Sequence, residues 1–245
     1  VILVSFVVIA FFSTTKDTKV HEGKQSGLVA GFPGVRLTLL PAKIGFEMWQ
    51  LLYAIAWLAC VVYSTVPAFW FMVHPFAERW RKRERSPFMV LVPAWVLMWV
   101  IVAAFTWRWH QVELYRGAWP WVLAVVLFAC GIYLYSQSGK NFSAKHLGGI
   151  PEVRGRSPEQ RLVTEGIRSR VRHPVYLAHL CEMLAWSLGT GLAVCWALTA
   201  FAVVTGAVMI TMEDAELEKR FGESYRSYRS SVPAVLPRFF SSPQI

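Results

Sequence analysis

Two short polar stretches hold most of the residues in this chain whose types and spacing could do chemistry. In VRHPVY, residues 171 to 176, an Arg and a His run straight into Pro and an apolar segment. A residue before Pro is pushed out of helical conformation, so His173 should be extended and Pro174 should open a helix. The N–H groups of Val175, Tyr176 and Leu177 would then lack helical partners. Together with the helix dipole they would form an anion site rimmed by Arg172 and His173. Taken alone, the motif serves equally well as an orientation signal at the mouth of a membrane helix. The second stretch, TMEDAELEKRFGESYRSY, residues 211 to 228, sets Glu213 and Asp214 where an apolar run ends. A carboxylate at a lipid boundary needs water, a cation or a ligand. An acid pair facing a basic corner suits a ligand that carries both charges. Beyond the pair, the residues read as an amphipathic helix ending at Gly222, then an aromatic segment with Tyr225 and Tyr228 lying on the membrane surface.

A third group lies inside the apolar run itself. Tyr176, His179 and Glu182 recur every three residues and so share one side of a helix. Ionisable residues in a membrane helix are costly and face a partner or a cavity. Either His179 and Glu182 satisfy each other, or they line a pocket for an acceptor bearing an amine or a hydroxyl. His74, before Pro75, repeats the His–Pro dipeptide, but no acidic or Gly-rich motif comes after it, and it reads as coincidence.

These residues need elements to hold them. Of the 245 residues, 55% are hydrophobic and only 16% are charged, and twelve are Trp. Long apolar runs separated by basic loops mark an all-α, polytopic helical membrane protein. The net charge of +10 sits in short loops beside those runs, which argues against nucleic acid as a partner and for membrane lipid. The four Cys fall inside apolar runs with no CxxC pair, so neither a disulfide nor a metal is expected. Residues 1–12 read as the end of a first transmembrane helix. Further spans are expected near 44–73 with a kink at Pro67, 88–107, 119–135, 174–188 and 192–211. The last two are joined by Gly-Thr-Gly as a helical hairpin. Eighteen of the 25 Lys and Arg fall on one side of that six-helix arrangement. The positive-inside rule therefore puts the 138–173 loop, the C-terminal tail and both chain ends in the cytosol.

The two polar motifs, LVTEGIRSRVRHPVY and EDAELEKRFGESYRSY, together with the hairpin between them and the upstream SGKNFS, resemble the isoprenylcysteine carboxyl methyltransferases and their prokaryotic relatives. The resemblance covers roughly residues 119 to 238. It implies a catalytic region over 119–245, made of the fourth helix, the 138–173 loop, the hairpin and the tail, with residues 1–118 as N-terminal helices. It also implies S-adenosylmethionine bound in a cytosolic pocket. Gln160, Arg161, Leu162 and Val163 would form one wall, and His173, Pro174, Val175 and Tyr176 another. Glu213 would meet the polar or positively charged part of the cofactor. No catalytic residue is assigned, because a carboxylate acceptor is already a nucleophile. Alignment and a dry site are then the main levers.

The chain departs from the family pattern at two positions. Arg168 stands where the family has a Tyr after the loop Gly. Met209 stands where eukaryotic members carry the Arg expected to hold the substrate carboxylate. The acceptor is therefore left open between an isoprenylcysteine-like carboxylate, as on a prenylated partner, and a lipid amine held by His179 and Glu182. Two other readings compete: a sterol-type membrane reductase using NADPH, and a transporter or scaffold with no catalysis. The residues say nothing of oligomeric state.

Overall fold

The computed structural model of the protein describes residues 42–83, 86–140 and 162–237, all helix, turn and loop apart from one isolated bridge. The expected first helix over residues 1–12 lies outside them. The chain divides into two compact units, residues 1–52 and 53–245.

Helix α1, Ala42–Ser64, gives way at Thr65 to α2, Val66–Val73. The break comes where expected and has a local cause. Pro67 cannot donate into the preceding turn, but in the first turn of α2 that costs nothing. Ser64 and Thr65 donate their hydroxyls back to the carbonyls of Val61 and Val62, at 3.0 and 2.8 Å. A 3-10 turn, His74–Phe76, and the short α3, Ala77–Arg81, come next.

Helix α4, Phe88–Thr106, exposes large apolar side chains along its length: Met89, Leu97 and Phe105 are each more than half exposed. That is the surface of a helix bathed in lipid. It is tied to the first helices by indole N–H groups that need a partner in an apolar bundle. Trp57 donates to Thr106 Oγ1 at 2.9 Å, and Trp95 donates to Thr65 Oγ1 at 3.0 Å.

Helix α5, Trp119–Lys140, packs against α6, Pro174–Thr190. Small residues let the two approach: Ala124 and Ala178 are fully buried, and a Cβ on Gly131 would sit 3.0 Å from the Glu182 side chain. Helix α6 ends at Gly191, whose φ of 67° is left-handed. A Cβ there would lie 2.3 Å from the Tyr115 carbonyl oxygen, so only glycine fits. The segment between α4 and α5 closes over this turn. Leu114 N–H donates to the Gly191 carbonyl at 2.8 Å, and Ala193 N–H donates to Val112 at 2.9 Å.

Helix α7, Ala193–Phe221, is continuous through the acidic pair rather than ending before it. It stops at Gly222, φ 59°, and α8, Glu223–Ser231, begins at once. Among the described residues four segments are long and apolar enough to cross a membrane: Met48–Trp80, Phe88–Trp109, Trp119–Gly139 and Ala193–Phe221. The 17-residue α6 is shorter, about 25 Å at 1.5 Å per residue, against a hydrocarbon core of about 30 Å. It is also wrapped by protein: Ala178, Met183, Ala185 and Trp186 are all essentially buried.

Candidate active site

Residues far apart in the chain meet where α6 begins. His173 lies outside the helical region, φ −117° and ψ 63°, and Pro174 opens α6, as the His–Pro dipeptide requires. The anion site expected from the free N–H groups is largely closed, however. Those of Tyr176 and Leu177 both donate to the His173 carbonyl, at 3.2 and 3.3 Å.

Arg172 does not rim an open pocket either. Its buried guanidinium donates to Asp214 Oδ2 at 2.7 Å and to the carbonyls of Val232 and Arg229 at 2.5 and 3.0 Å. The Arg172 and His173 N–H groups donate to Pro233 and Ala234, at 2.9 and 2.8 Å. Arg172 thus ties the tail down against the loop, and its charge is spent on Asp214. Helix α8 adds to the same tie. Tyr228 donates to the Arg168 carbonyl at 2.7 Å, and Tyr225 donates to Asp214. The two tyrosines expected on the membrane surface are therefore buried, packed with Val232 and against Leu162, one of the four residues expected to wall the cofactor. Val163 is the next loop residue and is half-buried, whereas Gln160 and Arg161 lie outside the described residues. Among the other expected site residues, Pro174 is buried and Val175 and Tyr176 are half-buried.

The acid pair divides its work. Asp214 is saturated, holding Arg172, Tyr225 and His173 Nε2, the last at 2.9 Å. Glu213 lies against His173, whose Nδ1 is 3.4 Å from its Oε2. At that separation the buried Oε2 forms no regular hydrogen bond with any described residue. Burial opposes a charge on His173, but Glu213 and Asp214 override it and push the imidazole up to about 9. The site therefore holds a fixed cation and a carboxylate oxygen with a vacant acceptor position. The ring of Tyr176 stands 5.8 Å from that of His173, and its hydroxyl meets Met209 Sδ at 3.6 Å.

A contributor outside the two motifs is His74. Its Nδ1 lies 3.4 Å from Glu216 Oε2, and its ring stacks on Trp70 at 5.1 Å. It is near enough for its charge to be felt at Glu213. The second His–Pro dipeptide, a coincidence by sequence alone, therefore faces the same side of α7 as the first. Its signal is Glu216, one turn beyond Glu213.

Comparison with known proteins covers the stretch of chain that carries most of this corner. Residues 119–224 match the phospholipid methyltransferase family model, from the first residue of α5 into α8. Protein-S-isoprenylcysteine O-methyltransferase of Schizosaccharomyces pombe is 35% identical over 120 residues, 45% of this chain and 47% of that protein. Protein-S-isoprenylcysteine O-methyltransferase B of Arabidopsis thaliana is 37% identical over 87 residues, 34% of this chain and 42% of that protein. A protein of Haemophilus influenzae, itself uncharacterized, is 36% identical over 59 residues, 94% of its length and 24% of this chain. Over this stretch the chain is similar to the phospholipid methyltransferase family and to the isoprenylcysteine O-methyltransferases. With four apolar, membrane-length helices among its described residues it is an integral membrane protein. The matches span about half the length, or less, of the curated methyltransferases. His74 and Glu216 lie on opposite sides of the family boundary: the acid is inside the matched stretch and the histidine before it.

Proposed function

We propose that this chain is an integral membrane methyltransferase that moves a methyl group from S-adenosylmethionine to a lipophilic acceptor. The single observation that carries the reading is Glu213 Oε2, a buried carboxylate oxygen that forms no regular hydrogen bond with a described residue and lies 3.4 Å from the charged His173. S-adenosylmethionine offers what that oxygen lacks, since it carries amino and hydroxyl donors, and its carboxylate suits His173. The residues that would hold it are His173, Pro174, Val175 and Tyr176 at the start of α6, Glu213 on α7, and Gln160, Arg161, Leu162 and Val163 from the loop. When bound, it supplies a methyl group activated on a sulfonium. The protein's part is to align the acceptor and keep water out, which needs no general base when the acceptor is a carboxylate. In this reading the catalytic region spans 119–245 and the site faces the cytosol, the side on which the basic loops lie. The C-terminal helical hairpin, the sixth span and the acceptor, an isoprenylcysteine-like carboxylate or a lipid amine, belong to the same proposal. A nicotinamide 2′-phosphate would want a free arginine, and Arg172 is already committed to Asp214 and two tail carbonyls.

The test is calorimetric titration of detergent-purified protein with S-adenosylhomocysteine. Wild type should bind in the micromolar range. Glu213→Ala and His173→Gln should each lose about tenfold or more, the scale of one charge-assisted hydrogen bond. No binding by folded wild type would overturn the reading, and NADPH would be titrated next.

A further inference from the structure

Arg116, Arg172, Arg226 and Arg229 are each spent on a carboxylate. The cations where the first apolar segment ends are built differently. Arg79, Lys82 and Arg83 are exposed and pair with no described carboxylate. The two arginines lie over aromatic rings instead. The Arg79 guanidinium stands 5.5 Å from the centre of the Phe76 ring, and that of Arg83 stands 5.4 Å from the Trp80 ring. Trp80 is itself fixed. Its indole N–H donates to the Met72 carbonyl at 2.7 Å, and its ring packs against Phe69 and Val73 of α2 and Leu91 of α4. The cations therefore rest on a platform anchored in the bundle.

A guanidinium stacked on a ring keeps its N–H edge open, and that planar fork fits phosphate oxygens. Holding the side chain in place beforehand lowers the entropy cost of binding. The surroundings say which phosphate. Trp80 ends the membrane-length segment Met48–Trp80, which puts these cations at the level of lipid head groups. The neighbouring surface is apolar: Phe76 is exposed, and so are Met89 and Leu97 of α4, the next helix in the chain. A lipid supplies both parts, chains for the apolar surface and a phosphate for the cations. Glu78 is the one acid in residues 77–83, against Arg79, Arg81, Lys82 and Arg83. A head group carrying its own ammonium meets like charge there, and a net-anionic one does not. His74 opens the turn before α3 and lies 3.4 Å from Glu216 Oε2, so the platform sits at the same end of α7 as the His173–Glu213 corner.

We propose that Arg79, Lys82 and Arg83, with Phe76 and Trp80 beneath the two guanidiniums, bind the phosphodiester head group of a net-anionic phospholipid. The phosphate oxygens accept from the guanidinium edges, Lys82 adds a point charge, and the acyl chains lie along α4. The lipid is a bound neighbour and not the methyl acceptor, and no bond is made or broken. The site uses none of the residues of the proposed cofactor wall, so it stands whether or not the methyltransferase reading does. Occupancy braces the turn that carries His74 toward Glu216.

The full chain in detergent, mixed with equal amounts of phosphatidylglycerol and phosphatidylcholine of matched chains, tests this by native mass spectrometry. The two lipids differ in mass, so the first one retained is read directly. Wild type should retain phosphatidylglycerol over phosphatidylcholine by about fivefold or more, the scale of one cation acting on an anionic head. The triple variant Arg79→Gln, Lys82→Gln, Arg83→Gln should bring that ratio to within about twofold of parity. Arg79→Lys with Arg83→Lys keeps every charge and gives up the stacked fork, and it should lose about half of the preference. Arg170→Gln with Lys219→Gln removes two exposed cations that lie on no described ring, and it should leave the ratio unchanged. Circular dichroism in detergent confirms that each variant is folded. A wild-type ratio near one, a ratio that survives the triple variant, or an equal fall in the Arg170 and Lys219 variant overturns the site. Displacement of phosphatidylglycerol by soluble glycerol phosphate overturns the lipid as its occupant.

Discussion

The chain writes His–Pro twice, and the two copies are built differently. His173 stands at the mouth of a 17-residue helix with its backbone extended, and its ring is enclosed by Asp214 and Glu213. His74 continues helical backbone, φ −61° and ψ −49°, and opens only a three-residue turn. Its Nδ1 lies 3.4 Å from Glu216 Oε2, and its ring stacks on Trp70. Both nevertheless face the same end of α7. The dipeptide sets where a chain can turn. What the histidine then does depends on how many carboxylates the opposing helix brings to it. Two carboxylates, an arginine and a tyrosine make the first corner a fixed charged assembly, and one carboxylate makes the second an accessory to it.

The sharpest way to break this contrast is at Asp214, which serves only the first corner. Asp214→Asn leaves Arg172 buried without its counter-ion and removes the partner of His173 Nε2 and the acceptor of Tyr225. Breaking one side of a buried pair costs about 3–5 kcal/mol, because the other charge is left stranded. Thermal unfolding in detergent should fall accordingly, with the tail beyond α8 opening first to proteolysis. A loss below about 1 kcal/mol, typical of a surface pair, would mean that the corner is not a charged assembly.

Titration probes the same corner with a somewhat smaller effect. His173 is raised from its ordinary 6.5 to about 9. The sign comes from linkage. Below pH 6.5 the histidine is charged in both folded and unfolded chains, and its stabilisation is complete. As pH rises through about 9 the folded imidazole loses its proton and the stabilisation disappears. The shift corresponds to roughly 3 kcal/mol. Unfolding free energy in detergent should therefore decline between pH 6.5 and 9.5, and His173→Gln should flatten that decline. An unchanged slope in the variant would assign the decline to other groups.

How much of this is legible in the sequence differs between backbone and side chains. Apolar runs, Pro174, Gly191 and Gly222 are local signals, and the helices begin and end close to them. The division of labour between Glu213 and Asp214 is not local. It depends on Tyr225 and on tail carbonyls that meet Arg172 from 57 and 60 residues away. A stretch such as ESYRSYRSS has a sided pattern that would lie equally well on lipid or on protein. Here Tyr225 and Tyr228 face protein because the loop carbonyl of Arg168 and the Asp214 carboxylate take their hydroxyls. The spacing of Tyr176, His179 and Glu182 gives the shared side correctly. It cannot say that Tyr63, 119 residues before Glu182, claims the carboxylate and leaves the histidine without it.

The smallest effect belongs to the second corner, and it sharpens the contrast most. His74→Gln removes one ion pair whose separation, 3.4 Å, is loose and whose acid remains partly exposed. Its stability cost should be about 1 kcal/mol, since glutamine can still donate to Glu216 where histidine does. Its effect should appear instead on ligand affinity, because His74 acts electrostatically on Glu213, the carboxylate with the vacant acceptor position. Removing that imidazole takes away part of the electrostatic support of the carboxylate that would meet the ligand. S-adenosylhomocysteine affinity should therefore weaken by about two- to fivefold, the equivalent of roughly 0.4–1 kcal/mol. Pairing His74→Gln with Glu213→Ala decides whether the effect runs through Glu213, since the two losses should then be less than additive. Full additivity would mean that His74 acts on the ligand independently of Glu213, and no loss in His74→Gln would leave the first His–Pro corner to hold the ligand unaided.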